Sequence, residues 1–238
     1  MAIMIAFSLR SYRMHASGFV FQMKYYPVFF DLREKICLVV GGGGVAERKV
    51  QRLLECDAAV RVVGECLSEG LQTLQKEGRI QCQVGRYSPS CLDGAFMVIC
   101  ATDDRTVNEQ VMRDCRKRGI PINVVDDPER CDFILPAIAE QGDLSVAIST
   151  AGKSPALAKR LRQELERQYG PEYRELLDML GELRKRRLAK GHPSEENQKV
   201  FEAIVFSDIL EHLRKGDRAA AEEKIRRLTG EDLERNEP

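Results

Sequence analysis

Short, uniformly apolar runs alternate along the first half of the chain with longer stretches in which apolar residues recur every three or four positions. The run at 35–40, Lys-Ile-Cys-Leu-Val-Val, predicts a parallel strand buried on both faces. Four glycines follow. Residues 45–56 then set Val45, Val50, Leu53 and Leu54 on one helical stripe, and 59–63 predicts a second strand, so this stretch has the length of a βαβ unit. The same reading continues through a helix at 68–77, strands at 79–84 and 95–101, a helix at 104–118 ended by Gly119, and a strand at 120–125. Strands and helices in alternation predict an α/β fold, an open parallel sheet covered on both faces.

Past residue 132 the rhythm changes. Runs at 133–139 and 144–150, joined by Glu-Gln-Gly-Asp, predict a hairpin that either extends the sheet or meets a second subunit. Beyond Pro155 the periodicity is helical, with breaks at Gly170-Pro171 and Gly191-His192-Pro193. The expected layout is a nucleotide-binding domain over 24–132, dimerisation strands over 133–155 and a small helical domain over 156–238. Residues 1–23 are set outside the fold: 1–9 is apolar but too short to span a bilayer, and Met23 sits just before the patterned sequence begins. They read as a disordered extension or an early-assigned start, with a signal peptide as the alternative. The basic run at 184–187 reads as a solvated helix face, with an anion contact as the sharper alternative.

Charge and cysteine content narrow the class. Lys plus Arg and Asp plus Glu stand at 37 each, which argues against a general nucleic-acid or membrane-surface binder and leaves any anionic ligand to local groups. The eight cysteines are scattered without a Cys-x-x-Cys pair, a pattern of reduced core thiols and a cytoplasmic protein. His15, His192 and His212 are isolated, so no metal site is expected.

Chemistry concentrates where strands end, since open α/β sheets bind ligands at the carboxyl ends of their strands. Gly41-Gly42-Gly43-Gly44-Val45-Ala46 fits G-x-G-x-x-A between a strand and a helix, the form of a dinucleotide site. Gly41 permits the turn, Gly43 lets a pyrophosphate approach, Ala46 allows close helix packing, and the N–H groups at Gly44 and Val45 face the phosphates. The acidic residue usual at the end of the second strand is missing; Val62-Val63-Gly64 stands there, with Glu65 and Cys66 next as ribose contacts. No arginine stands at that strand end, so NAD is expected rather than NADP.

Of two further strand ends, Ala101-Thr102-Asp103-Asp104 places Thr102 beside the cofactor and one of the aspartates as a helix cap. The other, Asn123-Val124-Val125-Asp126-Asp127-Pro128, leaves two readings for Asp126, a turn residue or a carboxylate that takes a proton from bound substrate. Ser149-Thr150-Ala151-Gly152-Lys153-Ser154-Pro155 offers hydroxyls and an amine for carboxylates, while Ser154 and Pro155 also suit an ordinary helix start.

Taken with Tyr26-Pro27-Val28-Phe29, Glu47-Arg48-Lys49, Val107-Asn108, Phe133-Ile134-Leu135-Pro136-Ala137 and Ser154-Pro155-Ala156-Leu157-Ala158, these stretches resemble one family over about residues 25–190. It is the precorrin-2 dehydrogenase and sirohydrochlorin ferrochelatase family, found alone or as the N-terminal module of siroheme synthase. The resemblance implies a Rossmann-type domain, a homodimer, NAD as hydride acceptor, and Asp126 as the residue used in dehydrogenation and in metal insertion. It places Asn123, Ser149, Thr150, Lys153 and Ser154 at the substrate, and makes ferrous iron or cobalt a candidate second substrate. Two departures stand out: Gly44 replaces a polar residue frequent at that place, and Ser149-Thr150-Ala151-Gly152 replaces the Ser-Ser-Gly-Gly of fused enzymes. The competing class is an NAD-binding regulatory module without chemistry, in which Asp126 and the 149–155 loop have no evident use.

Overall fold

The computed structural model describes residues 24–232; the segment expected to be an extension, 1–23, lies outside the described residues. Within them the chain forms two compact units, 24–135 and 136–232.

The first unit is a five-stranded sheet. β1 (Ile36–Val40), β2 (Ala59–Gly64), β3 (Ile80–Val84), β4 (Ala95–Cys100) and β5 (Ile122–Val124) run parallel in the order β3-β2-β1-β4-β5. Because side chains alternate across a strand, Cys37 and Val39 face one side with Val60, Val62 and Ile99, and Leu38 and Val40 face the other with Val63, Val98, Cys100 and Val124. On the first side lie α1 (Gly44–Glu55) and α2 (Glu69–Lys76), through Ala46, Val50, Leu53, Leu71 and Leu74. On the second lies α3 (Arg105–Arg118), through Val111 and Cys115. The uniformly apolar strands follow from this cover on both faces.

Local chemistry sets the helix ends. Asp104, not Asp103, caps α3, accepting from Thr106 N–H at 2.8 Å and Val107 N–H at 3.2 Å, and Gly119 closes it in the left-handed region. The α1 stripe differs from the expected one. Val45 is exposed and Ala46, Val50 and Leu53 are buried, because at the first turn the buried face begins at the small residue that lets the helix approach the sheet.

In the second unit β6 (Ala137–Gln141) and β7 (Leu144–Ile148) form their own antiparallel sheet and do not extend the parallel one. Residues 133–136, expected to be strand, are irregular; Asn123 binds Phe133 and proline stands at 136, so neither can join a ladder. α4 (Pro155–Gln168) packs on the hairpin, and α5 (Pro171–Ala189), α6 (Ser194–Val205), α7 (Ile209–Arg214) and α8 (Arg218–Thr229) share a core of Leu176, Met179, Leu183, Ile204, Ile209 and Ile225.

The basic run at 184–187 is not uniformly solvated. Arg187 is 2% exposed and donates to Asn197 Oδ1 at 2.7 Å, Glu196 Oε1 at 2.6 Å and Glu231 Oε1 at 3.0 Å. A buried guanidinium needs such partners, and periodicity alone does not supply them.

Candidate active site

The glycine turn leaves β1 and enters α1. Gly41 has φ +126°, and a Cβ there would lie 2.2 Å from the Ala101 carbonyl oxygen, so the end of β4 rests directly on the turn. In front of Gly43 and Gly44 there is open space, nothing lying within 4 Å of a Cβ built on either. Gly43 caps α1 without a side chain, and the first backbone bond into the helix is Glu47 N–H to Gly43 O at 3.0 Å. The amides of Gly44, Val45 and Ala46 therefore have no acceptor in the helix, and the exposed first two, beside that space, form a cradle that fits a pyrophosphate.

Gly64 accounts for the missing acidic residue at the end of β2. A Cβ there would press on Gly42 N at 3.0 Å, so the carboxylate comes one residue later, on exposed Glu65. Glu65 and Cys66 follow at the edge of the cradle, and Ser68 N–H donates to Gly42 O at 2.8 Å. No arginine stands at the end of β2 itself, but Arg86, just past β3, donates through Nε to Glu65 Oε1 at 3.1 Å. Parallel pairing of β2 with β3 aligns their ends, which a reading of β2 alone does not register.

The sequence assigns no separate role to Glu47 or Lys49. Ser68 Oγ donates to Glu47 Oε2 at 2.5 Å and accepts from Leu71 N–H at 3.3 Å, tying α1 to the start of α2. Lys49 is half-buried. Burial, and then Arg48, hold its amine below the ordinary lysine range, while the Asp126 carboxylate acts in the opposite sense. Asp126 thus lies within electrostatic reach of α1; the only sequence signal was that both fall in the stretches carrying the family resemblance.

The end of β4 joins the two halves of the site. Ala101 abuts Gly41, and Cys100 O accepts from Val125 N–H at 2.9 Å. Half-buried Thr102 is held here, its Oγ1 accepting from Asp104 N–H at 3.2 Å and its carbonyl from Asn108 Nδ2 at 3.0 Å. Burial pushes the Cys100 thiol up to about 12, so it stays protonated and donates to Asn108 Oδ1 at 2.9 Å.

Asp126 is exposed and has φ +61°, a left-handed backbone at a non-glycine residue. Asn123 is 8% exposed, with its amide nitrogen turned inward onto Phe133 O at 2.9 Å and Cys131 Sγ at 3.4 Å.

In the second unit, Thr150 Oγ1 accepts from Ser154 N–H at 3.3 Å and lies 3.2 Å from Ser154 O as a donor, and Ser154 Oγ accepts from Leu157 N–H at 3.2 Å. Ser149 Oγ accepts from Ala151 N–H at 3.1 Å, and Lys153 is exposed. The hydroxyls shape the turn into α4 and leave the Lys153 amine open. Among the described residues no group of three or more His, Cys, Asp or Glu is placed to hold a metal ion, and no helix is long and apolar enough to cross a membrane.

A parallel sheet with an amide cradle at the carboxyl end of β1 and a carboxylate at the end of β5 defines a dinucleotide-binding protein of the doubly wound class. Residues 28–137 match the family described as putative NAD(P)-binding, and residues 141–168 match the sirohaem biosynthesis protein central family. The siroheme synthase of Methylobacillus flagellatus is 39% identical over 210 residues, 87% of this chain and 44% of that protein; the one from Photorhabdus laumondii is 45% identical over 144 residues, 60% and 31%. The solved structure of SirC, a precorrin-2 dehydrogenase, aligns with a TM-score of 0.71 at 26% identity, covering 85% of this chain and all of that one. Over most of its length this chain is similar to sirohaem biosynthesis proteins. It spans less than half the length of these curated relatives.

Proposed function

We propose that the chain oxidises precorrin-2 to sirohydrochlorin with NAD. The observation that carries this reading is the pairing, through the end of β4, of the amide cradle at Gly43 and Gly44 with the exposed carboxylate of Asp126. Removing two electrons and two protons from the reduced macrocycle needs a hydride acceptor and a base. The dinucleotide supplies the acceptor when bound. Its diphosphate meets the amides of Gly44, Val45 and Ala46; Glu65 and Cys66 meet the ribose, and Thr102 flanks the nucleotide from the end of β4. The Glu65 carboxylate favours a ribose diol over a 2'-phosphate, which makes NAD the preferred form.

Asp126 takes the proton released as the hydride leaves, so the products are sirohydrochlorin, NADH and a proton. Lys49 stands within electrostatic reach of that carboxylate. The Lys153 amine at the head of α4, with Ser149, Thr150 and Ser154 shaping its turn, binds substrate carboxylates. Ferrous or cobaltous ion enters as a substrate in a second reaction, with Asp126 accepting the protons displaced from the macrocycle. The chain works as a homodimer in the cytoplasm, where its thiols stay reduced.

Incubating the protein with precorrin-2 and NAD tests the reading. NADH absorbance and the sirohydrochlorin spectrum are expected together, and metal is then added to score insertion. Asp126→Ala is expected to retain NAD binding and to lose turnover by on the order of a hundredfold or more. Dinucleotide binding with no spectral change in the unaltered protein would favour the regulatory module, and full turnover in Asp126→Ala would reject the base.

A further inference from the structure

The segment from the end of β5 to Phe133 is a closed loop carrying Asp126, and its interior is held by two side chains that the proposed chemistry does not use. At its base Ile122 N–H donates to Asp132 Oδ2 at 3.1 Å, and Asp132 N–H returns to Ile122 O at 2.8 Å. Inside, Cys131 Sγ accepts from Val124 N–H at 3.2 Å and stands 3.2 Å from both the Val124 and the Asp127 carbonyl oxygens, so its one proton serves either. The carboxamide of Asn123 reaches the same sulfur at 3.4 Å and Phe133 O at 2.9 Å. Val124 and Asp127 flank the turn, and Asp127 N–H closes it onto Val124 O at 3.2 Å.

The geometry points to Asn123 and Cys131 as positioning residues that hold Asp126 in its left-handed turn and so aim its carboxylate; this rests on the reading of Asp126 as the base. A left-handed backbone is disfavoured at a residue bearing a Cβ, even at aspartate, so the turn needs surroundings that hold it. Here the surroundings are one thiol contacting both carbonyls that bracket the turn and one carboxamide joining that thiol to the departing chain. Burial pushes the Cys131 thiol above its ordinary range, which keeps the proton its donor role requires. Asn123 acts through this clasp, to which its amide nitrogen is committed.

The fault expected on breaking the clasp is one of aim. A carboxylate displaced by about an ångström loses on the order of a hundredfold in rate while leaving the nucleotide cradle intact. The test compares kcat, KM for precorrin-2 and the dissociation constant for NAD in Cys131→Val, Cys131→Ser and Asn123→Ala, with Asp126→Asn alongside. Cys131→Val removes the hydrogen bonds at similar volume and is expected to lower kcat by on the order of tenfold to a hundredfold, with NAD binding within about twofold. Serine restores the donor and acceptor and is expected to recover most of the loss. Asn123→Ala should repeat the valine pattern, and it decides the matter if Cys131→Val does not fold. Wild-type kcat in both Cys131→Val and Asn123→Ala, or a serine variant no better than valine, overturns the clasp. If Asp126→Asn is inactive in that case, the base reading stands and only the clasp falls; if Asp126→Asn turns over normally, the base reading falls and takes the clasp with it.

Discussion

The glycine turn after β1 and the Asp126 turn after β5 stand at the same end of one sheet and are built on opposite terms. At the first, shape comes from missing side chains: Gly41 lies against the Ala101 carbonyl where a Cβ has no room, and the space before Gly43 and Gly44 is left for a ligand. At the second, a residue with a side chain is forced into a conformation that glycine adopts freely, and Asn123, Cys131 and Asp132 brace the chain around it. On the proposed function, backbone amides bind a phosphate and gain from bare backbone, whereas proton transfer needs a carboxylate, so the second turn carries a side chain and is braced.

The largest effect that separates these designs is expected at the glycine turn. Gly41→Ala meets both the 2.2 Å contact and the positive φ. It should destabilise the first unit by about 3 kcal/mol or more and abolish dinucleotide binding, read by thermal melting and NAD titration. Gly43→Ala meets nothing within 4 Å. Its ligand-free stability should stay within about 1 kcal/mol of the parent while NAD affinity falls by on the order of tenfold or more. If both variants melt alike, the distinction between a packed glycine and a ligand-facing one is broken.

A middle-sized effect sharpens the other half of the comparison. Ala151 has φ +50°, a left-handed backbone at a residue whose side chain is a bare methyl. Ala151→Gly should stabilise the second unit by about 1 kcal/mol, since alanine has no side-chain group to offset left-handed strain. Asp126→Gly should gain less, about 0.5 kcal/mol, because aspartate tolerates this region better, and it should lose turnover. A larger gain at 126 than at 151 in chemical denaturation would show that the bracing of Asp126 is weaker than its hydrogen bonds imply.

The smallest effect lies at the rim of the cradle. The Glu65–Arg86 pair is exposed on both sides, so Glu65→Gln should change stability by less than about 0.5 kcal/mol. On the proposed function it removes the carboxylate that disfavours a 2'-phosphate and frees Arg86 to receive one, so the proposed preference for NAD over NADP should shrink several-fold in paired titrations. An unchanged ratio would remove Glu65 from the ribose site.

What could be read from the sequence was local. The strand, four glycines and helix at 35–56, an aspartate cap at 103 or 104 with Gly119 ending the helix, and Ser154 with Pro155 opening α4 each depend on a few neighbouring residues whose backbone preferences and capping groups act within one turn. The order of strands and helices, and with it the class of fold, followed from periodicity for the same reason. The family resemblance followed from the same short stretches, taken together and in order.

Tertiary structure decided whatever depended on residues far apart in the chain. It placed Arg86 beside Glu65, explained why Gly64 and not a carboxylate ends β2, kept the hairpin out of the parallel sheet, buried Arg187 among Asn197, Glu196 and Glu231, and turned Asn123 inward onto Cys131 and Phe133. Periodicity records which face of an element is apolar. It carries no record of which polar group arrives opposite, because hydrogen bonds and close contacts are fixed only when separate elements are brought within a few ångströms of one another.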